Sequence, residues 1–125
     1  MSIELAQRAA AGAIDSTVLK WLTTAMKKHL AGADLESALG LSRSTRVRAR
    51  NQALRDAGHL LDEQCDWRRA IALESAIKRY ETRIVPILTR NPDYPLAPLD
   101  EAIRRAFMAG VRVPRTARNL LDIVR

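Results

Sequence analysis

Asp34-Leu35-Glu36-Ser37-Ala38-Leu39-Gly40-Leu41-Ser42-Arg43-Ser44-Thr45-Arg46-Val47-Arg48-Ala49-Arg50 is the stretch that decides how the chain is read. Asp34 places a side-chain acceptor just ahead of Leu35 to Leu39, which predicts a short capped helix, and Gly40 is the residue type that closes one. Ser42 or Ser44 then caps a new helix running to about Ala57, with Gly58 as its stop. Four arginines, Arg43, Arg46, Arg48 and Arg50, fall in its first turns. Two helices meeting at a sharp corner, the second opening on cations, suit an element that lies against DNA.

Within that second helix the spacing i, i+3, i+7 of Arg43, Arg46 and Arg50 predicts one shared outward face. Val47, Leu54 and Ala57 form a thin apolar side, with Leu61 just beyond, while Arg48 and Arg55 share a further face. Folding is therefore expected to tolerate loss of Arg46 and Arg50.

The charge distribution supports this emphasis. Twenty-one Lys and Arg against fourteen Asp and Glu give a net +7 and a pI near 10.5. Residues 1–41 sum to zero, 42–60 to +4, 61–66 to −3 and the remainder to +6, so the positive charge begins at the corner. Most of the cations are arginine, the side chain best matched to phosphate and to base edges, and a polyanionic partner is favoured.

The rest of the chain reads as helices. Ser2 is expected to cap a first helix to about Ala11, and Asp15 or Ser16 a second whose apolar positions Val18, Leu19, Leu22, Ala25, Met26 and Leu30 recur at three and four. Asp66 is expected to cap the longest helix, Trp67 to about Thr89, with Pro86 breaking or kinking it between Thr82 and Ile87. Three prolines between Asn91 and Pro98 predict a stiff loop. Pro98 opens a helix to Ala109, Val111 to Val113 should be extended, and Pro114 opens a last helix from Arg115 to Val124. Trp67, Ile77, Tyr80 and Phe107 lie on apolar stripes and are expected in the core. Arg112, Arg115 and Arg118, at the start of the last helix, make a secondary candidate for anion binding.

The expected fold is thus all-α, a single compact domain over residues 1–125 of about six helices, with a long central helix. The acidic segment 61–66 offers a subdivision into 1–65 and 66–125. Cys65 is a lone cysteine, so no disulfide forms within one chain, and His29 and His59 have no metal-ligand spacing. No apolar run has the length of a membrane span and no leader pattern opens the chain, so a cytoplasmic location is expected. There is no Gly-rich phosphate loop, G-x-S-x-G elbow or H-E-x-x-H, so neither an enzyme nor a cofactor is expected.

Leu39-Gly40-Leu41-Ser42-Arg43-Ser44-Thr45 resembles the turn of bacterial and phage helix-turn-helix regulators, a likeness carried by residues 34–57. It implies a small DNA-binding regulator in which Ser42, Arg43, Ser44, Arg46, Arg48 and Arg50 meet double-stranded DNA. Glu36 and Arg46 stand where that family usually has a small and an aliphatic residue, and the aliphatic side chain arrives one place later as Val47. The second half, Trp67-Arg68-Arg69 through Thr116-Ala117-Arg118, is similar to uncharacterised prophage proteins, which implies no activity. The alternative function is a helical interaction module, a phage-encoded adaptor or inhibitor, that binds an acidic protein surface. Either reading leaves homodimer formation open.

Overall fold

Residues 2–125 are described by this computed structural model, and they are all-helical, with turns and loops but no strand among them. In chain order they form α1 (Ser2–Ala10), α2 (Ser16–Leu30), α3 (Leu35–Leu39), α4 (Arg43–His59), α5 (Asp66–Arg79), a π-helical segment (Tyr80–Ile84), α6 (Val85–Arg90), α7 (Pro98–Met108) and α8 (Ala117–Val124). They fall into two compact units, Met1–Val47 and Arg48–Arg125, and the division lies inside α4. Val111 to Val113, expected to be extended, is loop in which Val113 turns into the core.

In the first unit the helix ends follow from the sequence. Asp15 accepts the Val18 N–H at 2.9 Å and Asp34 accepts that of Ser37 at 3.2 Å, so both aspartates cap the helices they precede. The backbone bond from Val18, with help from Arg8, holds the Asp15 carboxyl below the usual carboxylate range. Ser2, by contrast, is already helical and does not occupy the cap position. Gly12, Gly32 and Gly40 follow α1, α2 and α3 with positive φ. Each end closes in the same pair of backbone bonds; after α3, Leu41 N–H donates to Glu36 O at 2.8 Å and Gly40 N–H to Ser37 O at 3.0 Å. Leu5, Val18 and Ala25 are the buried apolar residues of this unit, whereas Leu19, Met26 and Leu30 of α2 are exposed.

The second unit holds the larger core. Leu54, Leu73, Ile77, Ile103, Val113 and Leu120 are fully enclosed, and Ala53, Ala57, Ala70, Ala102 and Ala106 between them are small enough for the helices to approach closely. Gly58 belongs to the same contact. It does not end α4, which runs on to His59; it is buried, and a Cβ there would sit 3.2 Å from Arg69 Cδ and 3.3 Å from Val124 Cγ1. Tyr80 is buried and its ring stacks on half-buried Phe107, centroids 5.3 Å apart, and burial raises the phenol above its ordinary pKa.

Other expectations in this unit are corrected. Trp67 is 49% exposed and Ile71 44%, so the side of α5 that carries them is uncovered while Ala70 between them is fully buried. Asp66 is the first residue of α5, and its cap position is Cys65, which makes no side-chain cap bond. Helix α8 opens at Ala117 and not at Arg115, since Thr116 accepts the Asn119 N–H at 3.4 Å. The interruption expected around Pro86 is present as the π-helical segment, where Val85 N–H reaches back to Tyr80 O, so helical structure continues from Asp66 to Arg90. Pro86 sits in the first turn of α6, a position that tolerates a missing N–H.

Candidate nucleic-acid interface

The corner between α3 and α4 is built around Gly40. Its backbone is left-handed, φ 72° and ψ 26°, and a Cβ at this position would stand 2.5 Å from Ser2 Oγ. Two side chains tie down the carbonyls that the end of α3 leaves over. The Trp21 indole N–H donates to Leu39 O at 3.1 Å, and Arg46 Nε donates to Leu41 O at 2.9 Å. Ser42 then starts α4: its Oγ accepts the Thr45 N–H at 3.4 Å and its carbonyl accepts that of Arg46 at 2.9 Å. The sequence-predicted cap is therefore Ser42, while Ser44 is exposed within the first turn.

The arginines divide differently from the sequence expectation. At about 100° per residue, Arg43, Arg46 and Arg50 span about 60° of arc, and Leu54 and Ala57 lie within about the same arc or beside it. They share the side of α4 that is buried further along, where Ala53, Leu54, Ala57 and Gly58 enter the core. Arg46 and Arg50 are accordingly half-buried and turned to backbone oxygens: Arg46 to Leu41, and Arg50 to Arg112 O at 2.7 Å, with its Nε and second terminal nitrogen on Asn51 Oδ1 at 3.0 and 2.8 Å. The guanidinium groups replace apolar side chains on the inner stripe because each can satisfy a carbonyl there.

The outward side of α4 carries Ser44, Arg48, Gln52 and Arg55, which lie within about 80° of arc. Ser44, Arg48 and Gln52 are exposed, Arg55 is half-exposed, and Arg43 is exposed at the helix start. Arg43, Arg48 and Arg55 form no hydrogen bond or ion pair with any described residue, so their charges face solvent. Arg55 was outside the sequence-derived contact set. The i, i+7 spacing from Arg48, opposite Leu54, is the signal that picks it out.

The secondary candidate at α8 is already engaged by the protein. Glu74 accepts the Ala117 N–H at 2.7 Å, placing a carboxylate where an anion would meet the helix start. Arg115 forms a two-pronged pair with Glu81 at 2.7 and 3.0 Å, which raises the guanidinium pKa further, and it lies 5.4 Å over the Phe107 ring. Arg112 and Arg118 are exposed. Glu74, Ile77, Lys78, Glu81, Thr82 and Arg115 line a cleft of about 330 Å³. Among the described residues no group of three or more His, Cys, Asp or Glu side chains is placed to hold a metal ion, and no helix is long and apolar enough to cross a membrane. No protein-family model, curated protein or solved structure matches this chain.

Proposed function

We propose that the chain is a small DNA-binding protein, a transcriptional regulator of the bacterial or phage type, that lays α4 against duplex DNA. The observation that carries this reading is the separation of arginines on α4. Arg46 and Arg50 spend their donors on the protein, whereas Arg48 and Arg55, with Ser44 and Gln52 on the same exposed side, have no side-chain partner among the described residues, and Arg43 is exposed at the helix start. A guanidinium without an internal partner, repeated along one face of a helix, fits a row of phosphates or the acceptor edges of guanine. The corner supports the reading because Gly40, Trp21 and Arg46 fix where α4 begins.

Gel mobility with random-sequence duplex across a salt series tests it. Binding should be present at low salt and weaken linearly in log K against log salt, with a slope of roughly −0.9 for each phosphate contacted. Absence of duplex binding at low salt contradicts the proposal. The second reading, an adaptor or inhibitor acting on an acidic protein surface, is favoured by the exposed Leu19, Met26 and Leu30 stripe of α2 with its neighbouring lysines.

A further inference from the structure

Glu74, Ile77, Lys78, Glu81 and Thr82 follow one another at the spacing of a single helix side, and with Arg115 they line the cleft of about 330 Å³ in the second unit. Its surface is mostly apolar, and Ile77 brings the core to it. The wall across from α5 is held by the protein itself. Arg115 donates to both Glu81 oxygens at 2.7 and 3.0 Å and to Val113 O at 2.7 Å, and Glu74 Oε2 accepts the Ala117 N–H at 2.7 Å. These bonds leave two groups over. Lys78 stands four residues after Glu74 and three before Glu81, spacings at which lysine and glutamate commonly pair. Both carboxylates are turned to the opposite wall instead, and the Lys78 ammonium has no hydrogen bond or ion pair among the described residues. Glu74 Oε1 has no donor there either.

We propose that this cleft binds a free amino acid with an apolar side chain, its carboxylate on the Lys78 ammonium and its ammonium on Glu74 Oε1. The charges select this class. Glu74 and Glu81 balance Lys78 and Arg115, so the lining is formally neutral and favours a ligand without net charge. A lone anion would meet the Glu74 carboxylate, and a lone cation would meet Lys78; a zwitterion turns each into a charge-assisted hydrogen bond. Lys78 and Glu74 stand one helical turn apart, about 5–6 Å between Cβ atoms, a separation that one carbon bearing both charged groups can bridge. The ligand's side chain then covers Ile77 and the aliphatic stems around it. The volume lies at the small end of the roughly 300–1,000 Å³ of small-molecule sites, which fits a single amino acid better than a peptide or a nucleotide. Since Arg115 and Ala117 are already fixed, binding orders little of the wall. The cleft shares no residue with the exposed side of α4, so the inference stands independently of DNA binding.

The test is a backbone-amide NMR titration of the full chain with L-phenylalanine, with phenethylamine, which lacks the carboxylate, and with hydrocinnamate, which lacks the ammonium. Phenylalanine should shift the amides of Lys78, Thr82, Arg115 and Ala117 saturably, and each analogue should bind at least about tenfold more weakly because one charge-assisted bond is gone. Lys78→Gln should lower phenylalanine affinity by about the same factor and leave phenethylamine affinity unchanged, which a merely structural role for Lys78 would not do. Thr82→Trp, which fills the cleft from its exposed rim, should abolish binding of all three; circular dichroism checks that both variants keep their helix content. No saturable shift at the cleft up to the solubility of phenylalanine overturns the proposal. Hydrocinnamate binding as tightly as phenylalanine overturns it in favour of a simple anion site, and phenethylamine doing so in favour of a cation site. Phenylalanine affinity unchanged in Lys78→Gln also overturns it, since the carboxylate would then be held elsewhere.

Discussion

Gly40 is under two separate constraints, a left-handed backbone and the Ser2 hydroxyl 2.5 Å from where a Cβ would be. Gly32 has only the first, since nothing lies within 4 Å of its Cβ position. Gly40→Ala should therefore destabilise by about 1–3 kcal/mol and by more than Gly32→Ala, read as a lower urea midpoint with the slope unchanged. Equal costs would show that the contact with Ser2 is relieved without effect. Arg46 and Arg48 make a matching pair. Arg46→Ala should cost about 1 kcal/mol because Leu41 O loses its guanidinium donor, while Arg48→Ala should stay within about 0.5 kcal/mol. Asp15 gives the pH dependence. Its folded pKa lies below the ordinary 3.8, so its contribution is fully present above that value and is lost as pH falls through the folded pKa. Asp15→Ala should remove that segment of the acid unfolding curve, followed by helix circular dichroism; a curve of unchanged shape would show that the cap is not linked to stability.

The helices test how far a periodic pattern can be read. Ile77 is 1% exposed and Trp67 is 49% exposed, although both lie on apolar positions of α5. Ile77→Ala should cost about 2–5 kcal/mol, whereas Trp67→Ala, with half of its side chain in solvent, should cost only about 1 kcal/mol. Chemical denaturation of the two variants decides this. Spacing showed which residues of α5 share a side, but whether another helix covers that side at Trp67 and Ile71 depends on partners far along the chain. Gly58 makes the same point. A glycine near a predicted helix end reads as a stop, and its true constraint is the Val124 side chain packed against it. Asp15, Asp34 and Gly40 were legible as helix ends because they act on neighbours within a turn, whereas Ser2 and Asp66 fall inside the helices they were expected to cap. On α4 the sequence grouped Arg43, Arg46 and Arg50 correctly by spacing. It placed that group outward because arginine is usually exposed, although Leu54 and Ala57 stand four and seven residues after Arg50 on the same side, and the carbonyls of Leu41 and Arg112 are what two of the guanidinium groups meet there. At α8 the start was shifted because Pro114 reads as a helix opener, while Thr116 and the distant Glu74 satisfy the first N–H groups instead.

Across the whole molecule the charge of +7 by itself gives any polyanion a weak attraction, so binding alone says little about which surface is used. Arg104 and Arg105 provide the control. They carry the same charge as Arg48 and Arg55 and are paired at the surface with Glu101 at 3.7 Å and Asp56 at 3.4 Å. The most direct measurement compares Arg48→Ala/Arg55→Ala with Arg104→Ala/Arg105→Ala for duplex binding over one salt series. The first variant should bind far more weakly, with a salt slope reduced by roughly 1.8 for two lost phosphate contacts, and the second should remain close to wild type. Equal losses in affinity and slope would contradict a DNA surface on α4, since only total charge would then matter.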